Sequence, residues 1–154
     1  MIPGFRTGPA PVFHCTSEFS GGASTKHVIL LVDDDLNYRK TWSLILEKAG
    51  YQVLSAPNGQ KALDILTSGR RVDVVMTDVD MPVMSGIKLL ENLKEYPHVM
   101  AMLKGIAVLS ANHREHQSNQ ATIKGLELPR PVCYSDKVDN DICAILEGVA
   151  AFFR

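Results

Sequence analysis

Val74-Val75-Met76-Thr77-Asp78-Val79-Asp80-Met81-Pro82-Val83-Met84-Ser85-Gly86 is the stretch that decides the fold. A run of β-forming and apolar residues ends at a carboxylate, Asp78. A loop held by Pro82 follows, then Gly86 and the amphipathic Ile87-Lys88-Leu89-Leu90. A short apolar run between turn signals reads as a buried strand. Asp78 then stands at the carboxyl edge of that strand, where open α/β sheets place their ligand sites. A carboxylate there can hold a cation or act as a nucleophile. One strand-end aspartate taken alone would only cap a loop.

The upstream sequence changes that balance. Val28-Ile29-Leu30-Leu31-Val32 is a second buried-strand pattern, and it ends in Asp33-Asp34-Asp35. If the two strands are parallel neighbours, three or more carboxylates meet at one sheet edge. Crowded carboxylates repel and raise one another's pKa. A divalent ion relieves this, and oxygen ligands suit magnesium, calcium or manganese.

Together these residues resemble the response-regulator receiver domain of two-component signalling. Val32-Asp33-Asp34 is similar to that family's acidic pair. Asp78 with Met81-Pro82, Met84 and Gly86 resembles its phosphoacceptor loop, and Val108-Leu109-Ser110-Ala111 its fourth strand. A weaker match is Leu128-Pro129-Arg130-Pro131, with arginine where the family carries lysine before proline. Glu127 then falls where many receivers have an aromatic residue that turns inward on activation, so the usual aromatic switch is not expected.

The resemblance implies a flavodoxin-like (βα)5 doubly wound parallel sheet, order 2-1-3-4-5, over residues 27–154. It implies phosphoryl transfer from a sensor histidine kinase or histidine phosphotransfer protein onto Asp78. Mg2+ (or Mn2+) would be held by Asp33, Asp34, Asp78 and the main-chain carbonyl of Asp80. Ser110, Ala111 and Arg130 would meet the phosphoryl group, while Asp80 and Asn112 would tune its hydrolysis. Two other readings compete. One is a pseudo-receiver that is silent to phosphate. The other, suggested by Thr77-Asp78-Val79-Asp80, is an aspartyl phosphatase of the haloacid-dehalogenase type; that type needs a downstream acidic pair, whereas here the pair lies upstream, and Met81-Pro82 follows where a glycine or threonine is usual.

The remaining segments fit five strand-then-helix units, which right-handed crossovers join into a parallel sheet. Residues 1–26 are rich in Pro, Gly, Ser and Thr and read as a flexible leader. Asp35 caps a helix carrying Tyr38, Trp42, Ile45 and Leu46 on one stripe, with Trp42 expected in the core. Tyr51–Leu54 is the second strand, and Ala62, Ile65 and Leu66 mark the second helix. The third helix is expected to reach Tyr96, where Pro97 closes it. Ile106–Leu109 is the fourth strand and Leu126–Leu128 the fifth. Val138, Ile142, Ile145, Val149 and Phe152 mark a closing helix with Ser135 as its cap. His113 and His116 lie at helical distance without a third ligand, so a solvated face is preferred to a metal pair.

Composition narrows the partners. The chain has 154 residues, 45% hydrophobic and 21% charged, with a formal net charge of −1. That balance suits one globular domain and gives no basic patch for nucleic acid or an anionic membrane. Cys15, Cys133 and Cys143 form no metal or disulfide spacing. No apolar run approaches a membrane span and none forms a signal peptide. A cytoplasmic protein is expected. Its output would be contact with another protein or a phosphorylation-dependent homodimer.

Overall fold

The apolar runs at Val28 and Val74 are the central strands of a sheet in the computed structural model, which describes residues 26–111, 113–137 and 142–154. Among these residues the order is β1 (Val28–Val32), α1 (Leu36–Lys48), β2 (Gln52–Ala56), α2 (Gly59–Thr67), β3 (Val74–Asp78), α3 (Gly86–Leu93), α4 (Pro97–Met102), β4 (Gly105–Ser110), α5 (His113–Gly125), β5 (Val132–Asp136) and α6 (Ile142–Ala151). The strands are all parallel in the order β2-β1-β3-β4-β5, the flavodoxin-like arrangement. Residues 1–25 of the expected leader, Cys15, Asn112 and Val138 lie outside the described residues.

Strand side chains alternate between faces, so a sheet covered on both sides needs continuous apolar runs. On one face Leu30, Val32, Val75, Ile106 and Val108 pack with Ala62, Leu66, Leu89, Leu93 and Ile123. On the other, Ile29, Leu31, Val74, Met76 and Leu109 pack with Trp42, Leu46, Ile145 and Val149. Trp42 is a core residue, 2% exposed. Burying a side chain of this class fully contributes roughly 1.5–3 kcal/mol each.

Three element assignments differ from the expectation. Leu126–Leu128 is not the fifth strand; it lies in the link after α5, and Glu127 takes a left-handed φ of 51°. Pro129 and Pro131 remove backbone donors just beyond it, so pairing begins only at Val132. Ser135 therefore caps nothing. It sits in β5, paired with Leu109, and the closing helix is described over Ile142–Ala151. The third helix stops at Leu93, and Pro97 opens a separate short helix from its first turn, where its missing N–H costs nothing.

No helix among the described residues is long and apolar enough to cross a membrane.

Candidate phosphoacceptor site

Strand register builds the site. Val32 pairs with Thr77, so the next residues, Asp33 and Asp78, stand side by side at the carboxyl ends of β1 and β3. Asp78 pairs with Leu109 and Ser110 with Asp136, which brings the ends of β4 and β5 to the same edge. Carboxylate oxygens of Asp33, Asp34 and Asp78 all lie within 4.8 Å of one another. Asp33 and Asp78 are buried, at 1% and 7% exposure, while Asp34 is open to solvent.

The two buried carboxylates of the site are oriented by the backbone. Asp33 Oδ1 accepts from the N–H of Asp35 at 2.9 Å, and Asp35 in turn caps α1 by accepting from Asn37 and Tyr38. The main-chain carbonyl of Asp33 accepts from Arg39. Asp78 Oδ1 accepts from the Val79 N–H at 2.8 Å, and its carbonyl accepts from the Thr77 hydroxyl at 2.8 Å. The loop then folds back, with Gly86 N–H donating to the Val79 carbonyl at 2.9 Å. A Cβ on Gly86 would stand 2.1 Å from the Asp78 carbonyl oxygen, so only glycine fits there.

The cation of the site is Lys137, immediately after β5. Its ammonium bonds Asp33 Oδ2 and lies 2.9 Å from Asp78 Oδ2. Its side chain is 12% exposed, and its N–H donates to the Ser110 carbonyl at 2.9 Å. Burial alone would lower the Lys137 pKa, but its bonds to Asp33 and Asp78 outweigh that and raise it. Burial pushes the Asp78 carboxyl up despite the opposing pull of Lys137. The Tyr38 ring covers the same ammonium, and burial pushes its phenol up to about 12.

The expected residues fall into two groups. Asp33, Asp34, Asp78 and Ser110 come together, with Ser110 buried at the end of β4. The side chain of Asp80 is exposed in the loop after Asp78, and Ala111 is exposed after β4. Arg130 is not at the site. Its Nε and Nη2 donate to the carbonyls of Met100 and Ala101, at 2.9 and 3.1 Å, tying the segment before β5 to the end of α4. Glu127 is exposed and off the sheet, so it does not hold the switch position on β5; the aromatic residue of that strand is Tyr134, half-buried. Asn112 lies outside the described residues. On α5, His116 pairs with Gln120 at 2.9 Å.

Lys137 was missed because Val138 follows it, whereas Arg130-Pro131 imitates the cation-proline pair. The β-forming run Val132-Cys133-Tyr134 ahead of it was the available signal.

The family model of the response regulator receiver domain matches residues 29–127. The chain belongs to this family. It is 37% identical over 106 residues to the 3',5'-cyclic-nucleotide phosphodiesterase regA of Dictyostelium discoideum, covering 65% of this chain and 13% of that protein. It is 34% identical over 112 residues to the two-component response regulator ORR3 of rice (Oryza sativa), covering 70% of this chain and 82% of the relative. The chain spans 13% to 52% of the length of three curated relatives, regA among them. Among solved structures it resembles the response regulator TrrA of Thermotoga maritima in complex with Mg2+-BeF. The TM-score is 0.63 at 25% identity, over 82% of this chain and 98% of that one.

Receiver domains are signalling phosphoacceptors with an acidic, Mg2+-binding pocket, and they interact with histidine kinases or phosphotransfer proteins. Membership sets aside the haloacid-dehalogenase reading.

Proposed function

We propose that Asp78 accepts a phosphoryl group from a phosphohistidine donor protein, with Lys137 in the role the sequence assigned to Arg130. The observation that carries this is the Lys137 ammonium bridging Asp33 and Asp78, the two buried carboxylates of the site. A carboxylate oxygen of Asp78 attacks phosphorus, the P–N bond of the donor breaks, and the imidazole leaves with that electron pair. An acyl phosphate is formed. Such transfer depends mainly on positioning and on neutralising the charge of the phosphoryl oxygens. Ser110 can donate its hydroxyl to one oxygen and Ala111 leaves room for the group. Lys137 is the cation within reach of another.

The donor set also suits a divalent ion. Three carboxylates cluster, and the ammonium of Lys137 bonds Asp33 and Asp78, so most of their charge is left for a second cation. Asp33, Asp34, Asp78 and the carbonyl of Asp80 would hold Mg2+ or Mn2+, all through oxygen. When bound, the ion supplies electrostatic stabilisation of the transferring group. Asp80 and Asn112 tune hydrolysis of the acyl phosphate in this reading, and Asp80→Asn lengthens its lifetime. The receiver unit runs over 27–154 behind a leader and acts in the cytoplasm. Its output is contact with another protein or with a second phosphorylated copy.

Incubation with acetyl phosphate and Mg2+ tests the assignment. Intact mass should rise by one phosphoryl group in the native chain and stay unchanged in Asp78→Asn. An equal rise in that variant would move the acceptor elsewhere. No rise in the native chain would favour the pseudo-receiver reading.

A further inference from the structure

Lys137 is held on three sides, and only two of them are carboxylates. The third is the ring of Tyr38, whose centroid lies 4.3 Å from the ammonium nitrogen. Tyr38 stands in the first turn of α1, where its N–H is fixed at 3.1 Å from Oδ1 of the cap, Asp35. The N–H of Asp35 is itself held by Asp33. The backbone that carries the ring is therefore tied to Asp33 through two hydrogen bonds. The ring also leans on Trp42, with ring centroids 6.2 Å apart, and Trp42 is buried in the core. The Tyr38 hydroxyl is buried and makes no hydrogen bond to Lys137, Asp33 or Asp78, so the phenol's polar end does not explain its placement against the ammonium.

We infer that Tyr38 is a positioning residue for phosphoryl transfer, its ring face holding the Lys137 ammonium inside the site while the charge on Asp78 changes. The inference rests on the proposed role of Lys137. Before transfer the ammonium is bonded to Asp33 and Asp78. Once Asp78 carries the phosphoryl group, the carboxylate charge at that oxygen is gone and the ammonium must re-aim at a phosphoryl oxygen. Lysine is a point charge on a flexible four-carbon stem, so a cation released by one partner has many places to go. An aromatic face attracts it without taking up any of its hydrogen-bonding capacity, because the attraction is to the ring quadrupole and is strongest where water is largely excluded. The ring thus keeps the cation local and leaves its donors free for oxygen.

The ring and not the hydroxyl does this, which separates Tyr38→Phe from Tyr38→Leu. With acetyl phosphate and Mg2+, loading followed by intact mass should proceed at the native rate in Tyr38→Phe. It should slow roughly three- to thirty-fold in Tyr38→Leu, the range that loss of one cation–π contact spans. In a Lys137→Met background the further change Tyr38→Leu should slow nothing, which a general structural role of the ring would not predict. Tyr38→Met replaces the leucine variant if that one fails to fold.

An independent reading comes from NMR of the metal-free protein. The Lys137 ε-methylene protons should show an upfield ring-current shift that persists in Tyr38→Phe and disappears in Tyr38→Leu. Native-rate loading in Tyr38→Leu, equal slowing in Tyr38→Phe, or an unmoved Lys137 signal would overturn the inference. Failure of the native chain to load counts against the proposed phosphoacceptor function; the NMR arm then decides alone whether the ring holds the ammonium.

Discussion

The ammonium of Lys137 lies 2.9 Å from Asp78 Oδ2, while Arg130 is engaged with the carbonyls of Met100 and Ala101. The two cations therefore do different work. Lys137→Ala should reduce acetyl-phosphate loading at least tenfold, because it leaves two buried carboxylates without their bridging charge. Arg130→Ala should leave loading unchanged and lower stability by about 1 kcal/mol, the scale of a part-exposed hydrogen bond to a carbonyl. Loading rates and urea midpoints measured on both variants check the pair. A loading defect in Arg130→Ala would restore the arginine to the site.

Asp78 has a definite sign in its pH dependence. Burial raises its pKa in the folded chain above the unfolded carboxylate value of 3.8. The folded state thus favours the protonated form. The contribution is fully present below 3.8 and is lost as pH rises through the raised folded value. At neutral pH the charged carboxylate is a net burden on the fold. Asp78→Asn, neutral and nearly the same shape, should raise the melting temperature by a few degrees at pH 7 in EDTA, and the gain should shrink toward pH 3. Melting curves over that range check it, and a gain that grows on acidification would reverse the sign.

How much of this was visible in the sequence follows from where the physics is local. β1 and β3 are buried on both faces, so their apolar runs had to be continuous, and the aspartates that end them were readable directly. The pairing of Asp33 with Asp78 needed only parallel neighbours in register. β5 was harder. Its five residues are all half-buried, it contains Ser135 and Asp136, and two prolines precede it. Weak burial gave it a weak pattern, so Leu126–Leu128 looked more like a strand, and the error carried Arg130 and Glu127 with it. The contacts of Tyr38 and Lys137 join residues that are 99 positions apart and belong to no shared motif. No periodicity encodes such a contact.

Val83 marks strain beside the site. It is β-branched, 82% exposed, and holds φ at 70°. The Met84 N–H donates across it to the Pro82 carbonyl at 2.8 Å, closing a γ-turn of the strained, positive-φ kind. For a β-branched side chain that region is an outlier, with a cost on the order of 1–3 kcal/mol. The side chain, being mostly in solvent, recovers little through packing. What holds the turn is its surroundings: the Met84 carbonyl accepts from the Gly59 N–H at 3.0 Å, and Gly86 is locked under Asp78. Val83→Gly should therefore stabilise the chain by about 1 kcal/mol, since glycine takes a positive φ without a Cβ clash and the relief exceeds its greater loss of backbone freedom on folding. Val83→Ala keeps the Cβ and should gain nothing. Urea unfolding of the three proteins should place Gly above both Val and Ala. A native chain as stable as Val83→Gly would show that the turn carries no strain.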